Sequence, residues 1–275
     1  MIRFSEKDHK YESLLPNGIE WISVTKLIHG LLDPFDEKLV AQRCSVKKPG
    51  KFPNKWYGYS VEEILDAWKS ENKRSTDLGH WYHSKRENEL YAMKGITVTK
   101  PTFDNGSKIA SSQKLIDGIY PEHMVYLESS GVCGQVDKPE VVNQVLNIND
   151  YKTNKKILYK GFANWEGITQ KMLAPVQHLD DCTFNHYALQ LSIYAYIILR
   201  HNPTLTLGKL TIEHVSFETA GEDKHGYPIT KLTEDTNEPI IKNVKLITVP
   251  YLLKEVQQIL HWVKSPENKK KILHG

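Results

Sequence analysis

Gly134-Gln135-Val136-Asp137 is followed, after one polar-apolar stretch, by Ile148-Asn149-Asp150-Tyr151-Lys152-Thr153. Val132 to Val136 reads as a short strand that Asp137 ends, and Asp150 ends a later one. Residues two apart on a strand point to the same face. Asp150 and Lys152 therefore share a face and Tyr151 points away from it. If the two strands are neighbours, Asp137 converges on the same spot. Paired carboxylates are hard oxygen donors that suit Mg²⁺ or Mn²⁺. A lysine beside them orients an attacking water or helps to deprotonate it. An Asp-x-Lys triplet by itself is common, so its flanks decide what it means.

Downstream, 186–200 is strongly apolar with few breakers and predicts a buried helix. Gln190 and Tyr194 lie four apart on one face of it, with His186 a turn earlier. Upstream, a helix over 76–94 places Gly79, His83 and Glu87 on one face, with His80 as a competing imidazole. Gly79 would permit close backbone approach.

The rest of the chain frames this centre. Weak alternation over 2–22, with a turn at Pro16-Asn17-Gly18, predicts a hairpin. Ser23 precedes Val24, Leu27, Ile28 and Leu31 at helical spacing. Ser60-Val61-Glu62-Glu63 has a capping-box pattern before Ile64, Leu65 and Trp68. Lys47–Tyr59 reads as a loop, and 107–118 as a helix. Strands are predicted over 124–127, 132–136, 141–148, 209–217 and 244–249. Residues 218–242 read as an exposed hairpin or loop, and 252–263 as an amphipathic helix. That order predicts a mixed α/β layer structure.

Composition excludes other classes. The 275 residues are 40% apolar and 25% charged, ordinary globular values that leave no room for wholesale disorder, a coiled coil or a collagen-like chain. A net charge of +3 is too small for a polycation, so any nucleic-acid surface has to be local. The opening MIRFSEKDHKYES is broken by charges and predicts no signal peptide. The longest apolar run, Ile193–Leu199, is far short of the ~20 residues that span a bilayer. Cys44, Cys133 and Cys182 are too few for a four-cysteine zinc or Fe–S site, and their scatter predicts an intracellular, reducing compartment.

Taken together, Gly-xxx-His-xxx-Glu, Gly-xx-Asp, Asp-x-Lys and Gln-xxx-Tyr, with thirteen residues from Asp137 to Asp150, resemble the RecB-type exonuclease branch of the PD-(D/E)xK nuclease superfamily. The pattern is most similar to the mitochondrial genome maintenance exonucleases and their phage and bacterial relatives. The resemblance spans roughly residues 10–250, including Lys10-Tyr11, Ser23-Val24-Thr25 and Pro34-Phe35-Asp36. It implies a restriction-endonuclease-like α/β core, with a central mixed β-sheet flanked by helices, an N-terminal hairpin and a helical elaboration. One nuclease domain would cover 1–275, with an arch-like elaboration in 1–75 and the catalytic core in 76–264.

The resemblance also implies site residues. Asp137 and Asp150 match the metal-binding carboxylates, and His83 the histidine that ligates metal. Lys152 matches the catalytic lysine. Gln190 and Tyr194 match the motif that places the lysine and the DNA. Tyr151 would offer its carbonyl as a further metal ligand, and Glu128 an extra carboxylate. Val136 stands where the superfamily name has proline, the usual form in this branch. The expected cofactor is one or two Mg²⁺ or Mn²⁺ ions, with no Fe–S cluster.

The expected activity is DNA exonuclease action on single strands or free ends, in recombination, repair or replication. The alternatives are a structure-specific endonuclease with the same site, or a DNA-binding subunit without catalysis. No P-loop is present, so a helicase, recombinase or single-strand-binding protein is an expected partner, in the cytoplasm of a bacterium or phage-infected cell. Lys155, Lys156 and Lys160 form a basic run beside the motif and are expected at phosphates. Lys47, Lys48, Lys51 and Lys55 interleave with Phe52, Trp56, Tyr57 and Tyr59. There Lys55 and Trp56 would bind and stack single-stranded DNA, unless the aromatics are tucked into the core.

Overall fold

The computed structural model describes residues 2–5, 10–14, 18–50, 54–110, 112–164 and 166–274. The chain runs β1 (Ile2–Ser5), β2 (Lys10–Ser13), β3 (Ile22–Ser23), α1 (Val24–His29), α2 (Glu37–Val46), α3 (Val61–Tyr91), β4 (Thr102–Asp104), β5 (Ser107–Ile109), β6 (Gly118–Ile119), β7 (His123–Leu127), β8 (Val132–Val136), β9 (Lys138–Val142), β10 (Val145–Lys152), α4 (Thr183–His201), β11 (Thr206–Phe217), β12 (Thr219–Glu222), β13 (Pro228–Thr230), β14 (Ile241–Val249), α5 (Leu253–Trp262) and α6 (Pro266–His274). No helix among the described residues is long and apolar enough to cross a membrane.

The mixed α/β expectation is met. A five-stranded sheet has the order β14-β11-β10-β9-β6, in which only β10 and β11 run parallel. Its buried residues Leu146, Ile148, Leu210 and Ile212 form one cluster with Leu189, Ile193 and Ile197 of α4. On the opposite side, Tyr82 of α3 packs with Tyr151 and Val215. A three-stranded sheet, β3-β8-β7, and a four-stranded antiparallel sheet, β2-β1-β5-β4, stand beside it.

Helix α3 is one element of 31 residues, where the sequence suggested two segments. Ser60 and Glu63 form the expected capping box. The polar stretch between Trp68 and Thr76 has no breaker, so the helix continues through it.

Three further expectations are corrected. The described residues of 107–118 hold β5 and the first residue of β6, not a helix. Asn105 and Gly106, both with positive φ, turn β4 into β5 as an Asn-Gly hairpin. The strand expected over 141–148 is two antiparallel strands, since Asn143 (φ 50°) and Gln144 (φ 62°) form a two-residue turn. Asp117 accepts from the backbone N–H of Asn143 at 2.9 Å and holds that turn. The N-terminal strand pair joins Ile2–Ser5 to Lys10–Ser13, ahead of the expected turn. Gly18 keeps a left-handed φ of 63°, while Pro16 and Asn17 lie outside the described residues.

Candidate active site

Asp137 reaches the site by a route other than the one its motif suggests. The strand it ends, β8, belongs to the three-stranded sheet. Asp137 occupies the crossing from β8 into β9, the strand paired with β10. Its Oδ2 accepts from the backbone N–H of Tyr151 at 2.7 Å. Its Oδ1 lies 3.7 Å from His83 Nδ1.

His83 comes from the third quarter of α3. Its Nδ1 is also 3.6 Å from Glu122 Oε1, and its Nε2 is 3.3 Å from the Tyr151 carbonyl oxygen. His80 is exposed. Glu87 accepts from Tyr91 Oη at 2.5 Å.

Asp150 and Lys152 share a face of β10, as the alternation requires, and form an ion pair. Asp150 is 1% exposed. The Lys152 ammonium lies 4.9 Å from the ring centre of Tyr187 on α4. Gln190 donates to Tyr194 Oη at 3.3 Å. Tyr187, absent from the expected motif, provides the aromatic contact to the lysine.

Tyr194 explains the glycine of Gly-xx-Asp. A Cβ at Gly134 would stand 2.6 Å from Tyr194 Cε1, so only glycine lets the ring lie there. The same test fails for Gly79. A Cβ there would meet Thr153 Oγ1 at 3.5 Å, an ordinary contact. Close approach therefore does not account for Gly79.

Glu122 is the site residue the sequence reading missed. Glu128 was expected as the extra carboxylate, but it sits past the far end of β7 and is exposed. Because β7 and β8 pair with Leu127 opposite Val132 and His123 opposite Val136, the residue facing Asp137 is Glu122. Counting back from the turn would have found it. Glu122 has a left-handed φ of 54°, uncommon for a glutamate. Its N–H donates to the Asp137 carbonyl at 2.9 Å. Backbone strain of this kind concentrates at functional sites. Buried Lys108 of β5 comes within 3.7 Å of Glu122 Oε2.

The electrostatics fit a cation. Burial lifts the Asp150 carboxyl to about 6; Lys152 opposes that rise and Asp137 adds to it. Asp137 is also raised, by burial, with His83 opposing and Glu122 adding. Burial pushes the His83 imidazole down, but Asp137, Glu122 and Asp150 outweigh it and lift it to about 9. Burial likewise opposes the charge on Lys152, yet Asp150 and Asp137 hold it above the usual lysine range. Glu122, Asp137 and Asp150 thus meet Lys108, Lys152 and a protonated His83, a near balance in which the carboxylates stabilise positive charge at the imidazole.

His83, Glu122 and Asp137 offer donor atoms within 4.8 Å of one another. Two donors on one octahedral ion at ~2.1 Å stand roughly 3–4 Å apart, which is the spacing of His83 Nδ1 to both carboxylates.

The expected DNA contacts divide. Lys156 and Lys160 are exposed. Lys155 is also exposed but pairs with Glu71 at 2.5 Å. Lys55 donates to the His225 carbonyl at 2.7 Å and lies over the Tyr227 ring. Trp56 is 7% exposed, packed with Tyr59, Trp68 and Tyr227. Burial removes its stacking face, so Trp56 follows the alternative of a tucked-in aromatic, whereas Tyr57 is exposed. Lys51 and Phe52 lie outside the described residues.

No protein-family model matches the chain, and no curated protein matches it. A solved structure from Eubacterium rectale, provisionally named an exonuclease, aligns with a TM-score of 0.35 and 12% identity, over 95% of this chain and 87% of its own.

Proposed function

We propose that the protein is a divalent-metal-dependent DNA exonuclease that hydrolyses phosphodiester bonds at single strands or free ends. One observation carries the reading: the Asp150–Lys152 ion pair stands on one face of β10, beside the His83, Glu122 and Asp137 cluster. Buried carboxylates next to a protonated lysine suit a reaction that gathers a cation and a phosphate in one place.

Mg²⁺ or Mn²⁺ would be held by His83, Glu122, Asp137, Asp150 and the Tyr151 carbonyl, and would supply Lewis acidity and a water of lowered pKa. The chain's own groups do the rest. Asp150 and the face of Tyr187 hold the Lys152 ammonium, so its donors are oriented before substrate arrives. There it positions the attacking water and offsets charge developing on the phosphoryl oxygens. The Tyr151 N–H holds one oxygen of Asp137, leaving the other toward His83. Gln190 and Tyr194 bound the site on the α4 side. Lys156 and Lys160 take phosphates of the strand. A helicase, recombinase or single-strand-binding protein would supply unpaired ends, inside a reducing compartment.

The test uses end-labelled linear single strands, blunt duplexes and circular single strands, with Mg²⁺, Mn²⁺ or EDTA. Progressive shortening of linear strands, lost in EDTA and in Lys152→Ala, is the expected result. Cleavage of circles would replace the exonuclease by an endonuclease. DNA binding without cleavage would overturn the enzymatic reading.

A further inference from the structure

The chain leaves β10 at Lys152 and returns to α4 at Thr183 through a stretch that is irregular but tightly tied. Leu158 donates its N–H to Thr183 Oγ1 at 2.7 Å, and its carbonyl accepts from the Phe184 N–H at 3.0 Å. Thr183 is one helical turn, ~6 Å, from Tyr187, whose ring covers Lys152. The stretch therefore starts at the catalytic lysine and is pinned again close beside it.

Beyond Leu158 the chain forms a small hairpin. Ala163 bridges Thr169. The Gln170 N–H donates to the Phe162 carbonyl at 2.8 Å, and the Asn164 N–H to the Ile168 carbonyl at 3.0 Å. Asn164 Oδ1 accepts from the N–H groups of Glu166 and Ile168 at 3.0 and 2.9 Å. At its base, a Cβ on Gly161 would stand 2.3 Å from the Gln170 carbonyl oxygen, so this residue has to be glycine. Lys171 pairs with Asp180, and Asp181 holds both Gln170 and His186.

Two apolar side chains of this well-bonded hairpin face outward. Phe162 is 78% exposed and Ile168 63%. Tyr159, 54% exposed, lies tilted on Phe184 at 4.8 Å. Phe162 stands opposite Gln170 and Ile168 opposite Asn164, so the two share one face of the hairpin, and exposed apolar side chains gathered on one face mark an interaction site. Lys156 and Lys160 are exposed on the same stretch. Asp180 and Asp181 are engaged with Lys171 and His186; Glu166, at the turn, adds one negative charge.

We infer that Phe162, with Ile168 and Tyr159, is a stacking platform for unpaired bases next to the scissile phosphate, and that Lys156 and Lys160 hold the adjoining phosphates. An aromatic face flanked by lysines is the chemistry that binds single strands without sequence preference. The occupant is therefore single-stranded nucleic acid, a choice that rests on the nuclease reading. It also relocates stacking from Trp56, which the fold buries, to a residue the fold exposes.

The experiment compares wild type, Phe162→Ala and Phe162→Tyr on two substrates with Mn²⁺: an oligothymidylate, and thymidine 5′-p-nitrophenyl phosphate, too small to reach the platform. Binding of a 2-aminopurine-labelled oligonucleotide in EDTA is followed in parallel by fluorescence quenching. Phe162→Ala is expected to keep the wild-type Tm, raise KM for the oligonucleotide about tenfold, lose the quenching and leave the small ester unchanged. Phe162→Tyr should restore both oligonucleotide readouts. Unchanged KM and unchanged quenching in Phe162→Ala would overturn the platform and leave the nuclease standing. If wild type cleaves neither substrate, the nuclease reading falls, and the quenching alone decides whether Phe162 stacks on a base.

Discussion

Glu122 faces Asp137 across the open end of the β7–β8 pair, and its N–H donates to the Asp137 carbonyl at 2.9 Å. The two carboxylates are therefore set by one backbone register, with His83 Nδ1 between them. Glu122→Gln is expected to weaken Mn²⁺ binding at least about tenfold, measured by calorimetry. Glu128→Gln, at the far end of the same strand, should bind like wild type. Equal losses in the two variants would dissociate Glu122 from the centre.

Asp150 and Lys152 are a buried pair, with side chains 2% and 18% exposed. Removing one charge strands the other, which costs about 3–5 kcal/mol, whereas removing both costs far less. In urea, metal-free Lys152→Met should be clearly less stable than wild type, and Asp150→Asn/Lys152→Met should recover most of the loss. A double variant as unstable as the single would contradict the pairing.

Gly134 and Gly79 separate two uses of glycine. Gly134→Ala forces a methyl onto the Tyr194 ring and should destabilise the fold by about 1–3 kcal/mol. The loss should shrink in a Tyr194→Leu background. Gly79→Ala meets only an ordinary contact inside α3 and should stabilise by up to about 1 kcal/mol. Denaturant midpoints read both.

Asp223 ties the β12–β13 hairpin to α3 through Arg74 at 2.7 Å. Backbone donation from Tyr227, then Arg74 and the His225 N–H, hold its carboxyl down to about 2. A depressed carboxyl adds stability above its ordinary value near 4, and that stability is lost as pH falls toward about 2. Thermal melts of wild type and Asp223→Asn should therefore differ most at neutral pH and converge between pH 4 and 2. A gap that widens on acidification would reverse the sign.

Strong local patterns were legible where physics is local. The capping box at Ser60, the apolar run of α4 and the alternation that puts Asp150 and Lys152 on one face depend only on near neighbours in the chain. The 107–118 segment was misread because its hairpin is specified by Asn105-Gly106, ahead of the segment itself. The 141–148 strand was misread because Gln144 carries no turn signature, and distant Asp117 stabilises the turn.

The sequence by itself determined the mixed α/β class and the order of the motif residues Asp137, Asp150, Lys152, Gln190 and Tyr194. Only the tertiary structure decided who meets whom. It brought Glu122 rather than Glu128 to the cluster, placed Tyr187 against Lys152, buried Trp56 and exposed Phe162. Periodicity reports which face of an element a side chain occupies. Burial and convergence depend on strand register and on which elements pack against that face, and those are set by contacts between residues far apart in the chain.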